Sequence, residues 1–392
     1  MTIEAHEAGS NFRRIPYGMV GGGEGAFIGA VHRIAARIDD RFELVAGALS
    51  SEAERSKRSG QAIGIAAARC YRSYQEMAQQ EAARPDGIEA VVIVTPNYLH
   101  VPIAKAFLEV GIHVICDKPL AAHLADTGGL TELVKAKSCL FAVTYNYSGY
   151  PLIRHAREII ANGELGKIRV VQAEYPQDWL SEKLEDTGQK QASWRTDPNR
   201  AGGGGCLGDI GTHAFHLACF VSGLTPASVL ADLNSFVEGR QLDDNVHVLL
   251  RFEGGAKGML WASQVAPGNE NGLRLRIYGD KAGLSWSQEN PNYLTFSPLG
   301  KPSRLLGRGG PGLTSAAERV TRTPPGHPEG YLEGFATIYR EVADAIEAKH
   351  NGKDQPDDVI FPDLEAGLQG MRFVDAVLCS HKNGGVWTSL NS

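Results

Sequence analysis

Asp209 and His213 stand four residues apart, so on a helix a carboxylate and an imidazole would share one face and could flank a single bound molecule. Such a pair suits proton transfer: the imidazole relays or donates a proton, while the carboxylate binds hydroxyls or tunes a neighbouring amine. Taken singly, the carboxylate could equally cap its helix and the imidazole could be a core histidine. A second constellation lies far upstream. Gly21-Gly22-Gly23-Glu24-Gly25-Ala26 follows a short β-rich run, Tyr17–Val20, and opens a helix-length segment through His32 and Ala36. In a turn of this kind Gly21 permits the tight bend and Gly23 lets main chain approach a pyrophosphate. A small third residue, Ala26 or Gly29, lets helix pack on strand. Its place between a strand and a helix marks a dinucleotide site more than a merely flexible loop. Ser50-Ser51 ends the next strand, where a carboxylate would hold a ribose 2′-hydroxyl. Two hydroxyls there, with Arg55, Lys57 and Arg58 beyond, suit a 2′-phosphate better and favour NADP(H) over NAD(H). The same letters would also serve as a helix cap and a solvated basic face.

The elements that must position these groups follow from periodicity. Strands at Tyr17–Val20, Phe42–Leu49, Ile88–Val94, His113–Cys116 and Leu140–Thr144 alternate with helical segments near 53–66, 99–110 and 123–137. Ile88–Val94 is nearly unbroken in apolar character, as a strand buried on both faces must be. This rhythm predicts right-handed crossovers and a doubly wound parallel sheet over 15–145, a Rossmann domain with its ligand beyond the carboxyl ends of the strands. After Tyr150 the grammar changes. A helix at 151–162 and a strand Ile168–Tyr175 lead through a polar stretch to the Gly-rich segment 202–208 and a helix from about Asp209. Strands then come in succession at 228–237, 246–253, 257–265 and 273–279, with turns at Glu253-Gly254-Gly255 and Gly279-Asp280. This predicts an α+β second domain over 146–392 with a large, mostly antiparallel open sheet. Residues 297–328, rich in Gly and Pro, are expected to form a long irregular excursion. Helices at about 330–348 and 363–380 close the chain.

Composition bounds the function. The chain has 392 residues, 43% hydrophobic and 21% charged, which suits two packed domains. With 39 basic and 45 acidic residues the formal charge is −6, which gives no electrostatic reason to expect nucleic acid or an anionic membrane as partner. Six scattered cysteines without a C-x-x-C pair point to reduced thiols and a cytoplasmic location, and no residue cluster suggests a metal. Residues 1–14 are polar, lack the apolar core of a secretory leader, and read as a flexible extension. No apolar run has the length of a membrane span.

Three further segments, taken with the glycine turn, resemble the Gfo/Idh/MocA oxidoreductases. They are Thr95-Pro96-Asn97-Tyr98-Leu99-His100; Gly111-Ile112-His113-Val114-Ile115-Cys116-Asp117-Lys118-Pro119-Leu120; and Trp194-Arg195-Thr196-Asp197-Pro198, running on to Gly208-Asp209-Ile210-Gly211-Thr212-His213. The resemblance covers about 15–280 well and the later excursion poorly. It implies that Lys118 is the catalytic lysine and that Asp209 and His213 complete the centre. It places Thr95, Pro96, Asn97 and His100 along the nicotinamide, and Asn146 near substrate and cofactor. Asp117 stands where the family usually has Glu, so the longer side chain's orienting contact is expected to be lost or rerouted. The final glycine and following histidine of the turn would ordinarily come about three residues before Gly29 and His32, which marks an inserted loop.

The chemistry implied is hydride transfer between NAD(P)(H) and a secondary alcohol or ketone of a sugar, inositol or related polyol. A free lysine amine is a poor base at neutral pH, and burial beside a cationic nicotinamide would favour its neutral form. Tyr147, Trp179, Trp194 and Arg195 offer aromatic faces and polar tips suited to such a substrate, and His327 precedes a late helix in a segment like one near substrate in some relatives. Two rivals stand beside this reading. One is redox-assisted glycoside cleavage with Tyr145, Tyr147 or His213 as acid/base. The other is a cofactor-sensing binding protein without turnover. A homodimer or homotetramer is expected, because few helices after residue 150 are available to cover both faces of the second sheet.

Overall fold

The computed structural model describes residues 13–390, so most of the predicted extension at 1–14 lies outside the described residues. The first unit alternates strand and helix: β1 (Ile15–Gly21), α1 (Phe27–Ile38), β2 (Phe42–Ala48), α2 (Ala53–Ala62), α3 (Tyr74–Ala82), β3 (Ala90–Val94), α4 (His100–Glu109), β4 (His113–Cys116), α5 (Leu130–Ala136) and β5 (Phe141–Val143). The five strands form a parallel sheet in the order β2-β1-β3-β4-β5. All five residues of β3 are buried, as the apolar run requires of a central strand covered on both faces.

The second unit contains α6 (Pro151–Ala161), β6 (Ile168–Pro176), α7 (Lys190–Arg195), α8 (Pro198–Ala201) and α9 (Thr212–Ser222), which a wide π turn over Leu207–Gly211 introduces. The strands β7 (Pro226–Asn234), β8 (Asn245–Phe252), β9 (Lys257–Ser263), β10 (Arg274–Gly279), β11 (Ala282–Ser287), β12 (Tyr293–Pro298) and β13 (Arg304–Gly307) follow. Then come α10 (Ser315–Arg319), α11 (Tyr331–His350), α12 (Leu364–Lys382) and the short β14 (Thr388–Ser389). The nine strands pair in the order β13-β12-β11-β10-β6-β9-β8-β7-β14, antiparallel except where β6 meets β9. Both predicted glycine turns close hairpins, β8–β9 and β10–β11. In β8 burial alternates along most of the strand, so one face meets the helices and the other is exposed. Leu249 and Met259, register partners on that outer face, are both exposed.

One expectation needs correction. The irregular excursion over 297–328 is partly regular: β12 and β13 extend the sheet as a hairpin, and α10 lies beyond them. Its far end is fastened by the buried Arg308–Glu329 ion pair at 2.9 Å, with the Glu329 carboxylate also accepting from the Arg322 and Thr323 amides. The boundary at residue 145 divides the sheets but not the cores. Phe335, Ile338, Tyr339 and Val342 of α11 pack with α1, β1 and β3 of the first sheet, a face that α1 alone is too short to cover. Along α12, Leu364, Leu368 and Met371 join the opposite core of the first unit, whereas Phe373 and Val377 join that of the second. Among the described residues no helix is long and apolar enough to cross a membrane.

Candidate active site

At the end of β1 the chain turns through Gly21 and Gly22, with φ of 82° and 71°, conformations that favour glycine. A Cβ on Gly29 would lie 2.4 Å from the Gly22 Cα, so Gly29, rather than Ala26, is the small residue that lets α1 approach the turn. A Cβ on Gly23 would meet the Leu49 carbonyl oxygen at 2.6 Å. The inserted loop is tied to α2: Ser59 Oγ accepts from the Glu24 amide at 3.2 Å, and Arg55 Nη2 donates to the Glu24 carbonyl at 2.8 Å. Gly25, φ 75°, forms its tip.

From this turn a cleft of about 640 Å³ runs past Ser50 and Ser51 to Lys118 and Asp209. Gly21, Gly23, Ala26, Arg55, Thr95, Pro96, Asn97 and Asp117 also line it; Gly25 and His100 do not. Ser50 Oγ accepts from the Glu52 amide at 3.2 Å, a local turn contact. Thr95 lines the cleft, and its hydroxyl is buried without a partner among the described residues. Asn97 holds the two units together, its Nδ2 donating to the Ala201 carbonyl at 2.9 Å. His100 is buried and spans the Thr95 and Pro119 carbonyls, each at 2.8 Å, so it fixes the lysine loop and does not line the cleft. Burial lowers its pKa.

The predicted centre assembles across the two units. Lys118 Nζ lies 2.8 Å from Asp209 Oδ1 and also donates to the Asp209 main-chain oxygen. Burial works against an ionised Asp209, but the charges of Lys118 and Arg195 more than reverse it and hold the carboxyl well below the usual carboxylate range. Asp117 answers the question raised by its short side chain. Its Oδ1 accepts from the Lys118 amide and from Thr144 Oγ1, both at 2.9 Å, so the orienting contact is rerouted to the main chain of the lysine itself. His213 is enclosed by the rings of Tyr145, Tyr147 and Tyr175, with centroids 4.9–6.2 Å away. Burial, then the Lys118 charge, lower its pKa well below the ordinary histidine value. It is therefore a neutral imidazole at neutral pH, able to relay a proton but not to serve as a standing cation. Its Nδ1 has no partner among the described residues.

The remaining predicted residues divide. Trp194 and Arg195 line the cleft, with the guanidinium 4.4 Å from the indole centroid. Asn146 is buried with its Nδ2 unpartnered among the described residues, and Tyr147 OH lies 2.6 Å from Tyr175 OH; both adjoin the centre without lining the cleft. Burial pushes the Tyr145 and Tyr147 phenols up, so neither is a base at neutral pH. Trp179 is half-buried outside the cleft, and His327 is exposed in a turn closed on Pro324. His327, predicted near substrate, does not line the cleft. Sequence reasoning missed Arg72, which lines the cleft with Ser50 and Ser51, and Gln264, whose Nε2 donates to Asp209 Oδ2 at 2.9 Å. Neither falls in a motif, and only the fold brings them to the site.

Comparison with known proteins agrees with this fold. Residues 15–145 match the family described as "Oxidoreductase family, NAD-binding Rossmann fold", and 153–285 match the GFO/IDH/MocA C-terminal domain. An uncharacterized oxidoreductase of Bacillus subtilis (strain 168), YfiI, is 39% identical over 378 residues, covering 95% of each chain. The crystal structure of an oxidoreductase from Sinorhizobium meliloti is 55% identical, with a TM-score of 0.88 over 96% of this chain and 99% of that one. An inositol dehydrogenase homolog from Azotobacter vinelandii, solved with NADH and myo-inositol, is 38% identical, with a TM-score of 0.90 over 96% and 98%. With both halves of the chain matched in order, and the lysine and aspartate of the motifs paired at one cleft with the histidine buried beside them, the chain belongs to the Gfo/Idh/MocA oxidoreductase family.

Proposed function

We propose that this protein is a nicotinamide-dependent dehydrogenase or reductase acting on a secondary alcohol or ketone of a cyclic polyol or sugar, with Lys118 as its acid/base. The observation that carries the reading is the Lys118–Asp209 pair at the end of the cleft that begins at the glycine turn. A bound nicotinamide cofactor would supply the hydride acceptor or donor. In oxidation the neutral Lys118 amine takes the hydroxyl proton; in reduction its ammonium gives a proton to the carbonyl oxygen. Asp209 stays ionised and orients the amine. His213, neutral and enclosed by tyrosines, offers one ring nitrogen to a neighbouring hydroxyl and relays the proton. The inositol dehydrogenase relative, solved with myo-inositol, supports a cyclic polyhydroxyl substrate.

At the ribose end we infer a preference for NADP(H). Ser50 and Ser51 line that end, and no carboxylate occurs at 49–51. Arg55 is partly engaged by the Glu24 carbonyl, whereas the Arg72 guanidinium has no partner among the described residues, so Arg72 is the stronger candidate for a 2′-phosphate. A cytoplasmic homo-oligomer joined through the exposed sheet face completes the reading.

The test is a screen of inositols, pyranoses and linear polyols with NAD⁺ and NADP⁺, following nicotinamide absorbance against product. A stoichiometric change supports the dehydrogenase. Product formed without net absorbance change would favour the redox-assisted cleavage, and cofactor binding without product would favour a sensor.

A further inference from the structure

Asp209 has two carboxylate oxygens, and the two units of the molecule compete for them. Oδ1 faces Lys118 Nζ at 2.8 Å, and Oδ2 accepts from Gln264 Nε2 at 2.9 Å. Arg195 adds charge nearby, its Nε 3.2 Å from Oδ2, but that Nε is buried without a hydrogen bond of proper geometry. Gln264 is thus the group whose direction fixes the plane of the carboxylate on the Oδ2 side. Its own placement is firm. It is 2% exposed and follows β9 directly; its main-chain N–H donates to the Asp244 carbonyl at 2.8 Å, and its main-chain carbonyl accepts from the Leu180 N–H at 3.0 Å. A neutral carboxamide grips the carboxylate without adding a charge, whereas a lysine or arginine there would compete with Lys118 for it.

We propose that Gln264 is a positioning residue for proton transfer: it holds Asp209 Oδ2 so that Oδ1 stays committed to Lys118. This deepens the dehydrogenase reading and rests on Lys118 being the acid/base. Without the carboxamide, the carboxylate is free to turn toward Arg195, leaving the amine only the Asp209 main-chain oxygen. The ammonium then loses its closest counter-charge and gives up its proton more readily. The other charged or titratable groups facing Asp209 are Lys118 from the first unit, Arg195 from α7, His213 from α9, the Cys206 thiol, and the Tyr147, Tyr175 and Tyr331 phenols. Burial pushes the thiol and the phenols up and the imidazole down, so none of these five changes charge near neutral pH.

The experiment reads the amine directly. Full-length protein without cofactor or substrate is reductively methylated with formaldehyde and a borohydride reagent across a pH series, and modification of Lys118 is followed by peptide mass spectrometry. Only the neutral amine reacts. Gln264→Ala should speed Lys118 labelling by about tenfold at a given pH, the scale of losing one charge-assisted hydrogen bond, while other lysines label as before. Gln264→Glu gives a second signature in the kcat profile. Its carboxyl, when protonated, donates to Oδ2 as the carboxamide does, and when ionised it repels Asp209. The ratio of variant to wild-type kcat should therefore be near one at acid pH and fall as pH rises, whereas the ratio for Gln264→Ala should be low throughout. Circular dichroism and cofactor titration confirm that each variant is folded; if Gln264→Ala is not, Gln264→Glu decides alone. Unchanged labelling together with a flat Gln264→Glu ratio would overturn the proposal and leave Gln264 a packing residue. Because labelling needs no substrate, a shift in labelling with no polyol oxidised would keep the clamp and remove the dehydrogenase reading instead.

Discussion

Gly29 on α1 lies against Gly22 in the turn before it, so close that an added Cβ would sit 2.4 Å from the Gly22 Cα and 2.6 Å from its carbonyl oxygen. Both atoms are main chain, so the collision cannot be relieved by a side-chain rotation. Gly29→Ala should push the helix from the turn and weaken cofactor binding by tenfold or more, with the fold retained. Fluorescence titration with NADH and NADPH measures this. An affinity like that of wild type would mean that the turn does not hold the cofactor.

Lys118→Ala should leave cofactor affinity nearly intact and lower turnover by about 10²-fold or more, as loss of a positioned acid/base does. His213→Ala should lower turnover less, because a neutral relay is partly replaceable by water. Steady-state kinetics with separate kcat and KM decide the roles. If His213→Ala and Asp209→Asn raise only KM, the pair binds substrate and moves no proton.

Arg72→Ala should weaken NADP(H) by about tenfold and hardly touch NAD(H), since a guanidinium contact to phosphate is of the strong, charge-assisted kind. Arg55→Ala should weaken both cofactors alike, because it loosens the Glu24 end of the turn. Ser50→Asp should shift preference toward NAD(H) by repelling the 2′-phosphate. Equal wild-type affinity for the two cofactors, unmoved by Arg72→Ala, would refute the phosphate assignment.

Acid should destabilise the protein early. Burial lowers His32 and His113 to about 4 and His216 to about 3, so each is neutral in the folded state near neutrality. Unfolded chains bind these protons from about pH 6.5 downward, and folded ones do not until well below. Stability from these groups is therefore full above about 6.5 and is lost as pH falls toward the folded values, by about 3 kcal/mol for fully buried His32. Melting temperature should decline between pH 7 and pH 5 in wild type. In His32→Gln the decline should be shallower, even though the lost bond to Tyr339 OH lowers the starting point. Parallel slopes would show that His32 is not the sensor.

Leu249 and Met259 face one another on the exposed side of the second sheet, 45% and 49% exposed in the single chain. If that face joins subunits, light scattering should give a multiple of 42.2 kDa, and Met259→Asp should lower it. A wild-type mass near 42.2 kDa at micromolar concentration would refute the oligomer.

Local pattern alone determined the strand–helix alternation of the first unit, its glycine turn, and the antiparallel run of the second, because periodicity and turn residues act over a few positions. The family motifs likewise marked Lys118, Asp209 and His213. Tertiary structure decided what local letters cannot encode. Residues after 330 return to cover the first sheet, because α1 leaves apolar strand surface that only a distant helix can bury. Gly29 rather than Ala26 meets the turn, since close approach depends on helix placement and not on residue size. Gln264 reads in sequence as part of the strand at 257–265, and Arg72 falls in no motif. Folding alone brings each beside a carboxylate or a cleft that another part of the chain supplies, and no spacing rule spans the 55 positions that separate Gln264 from Asp209.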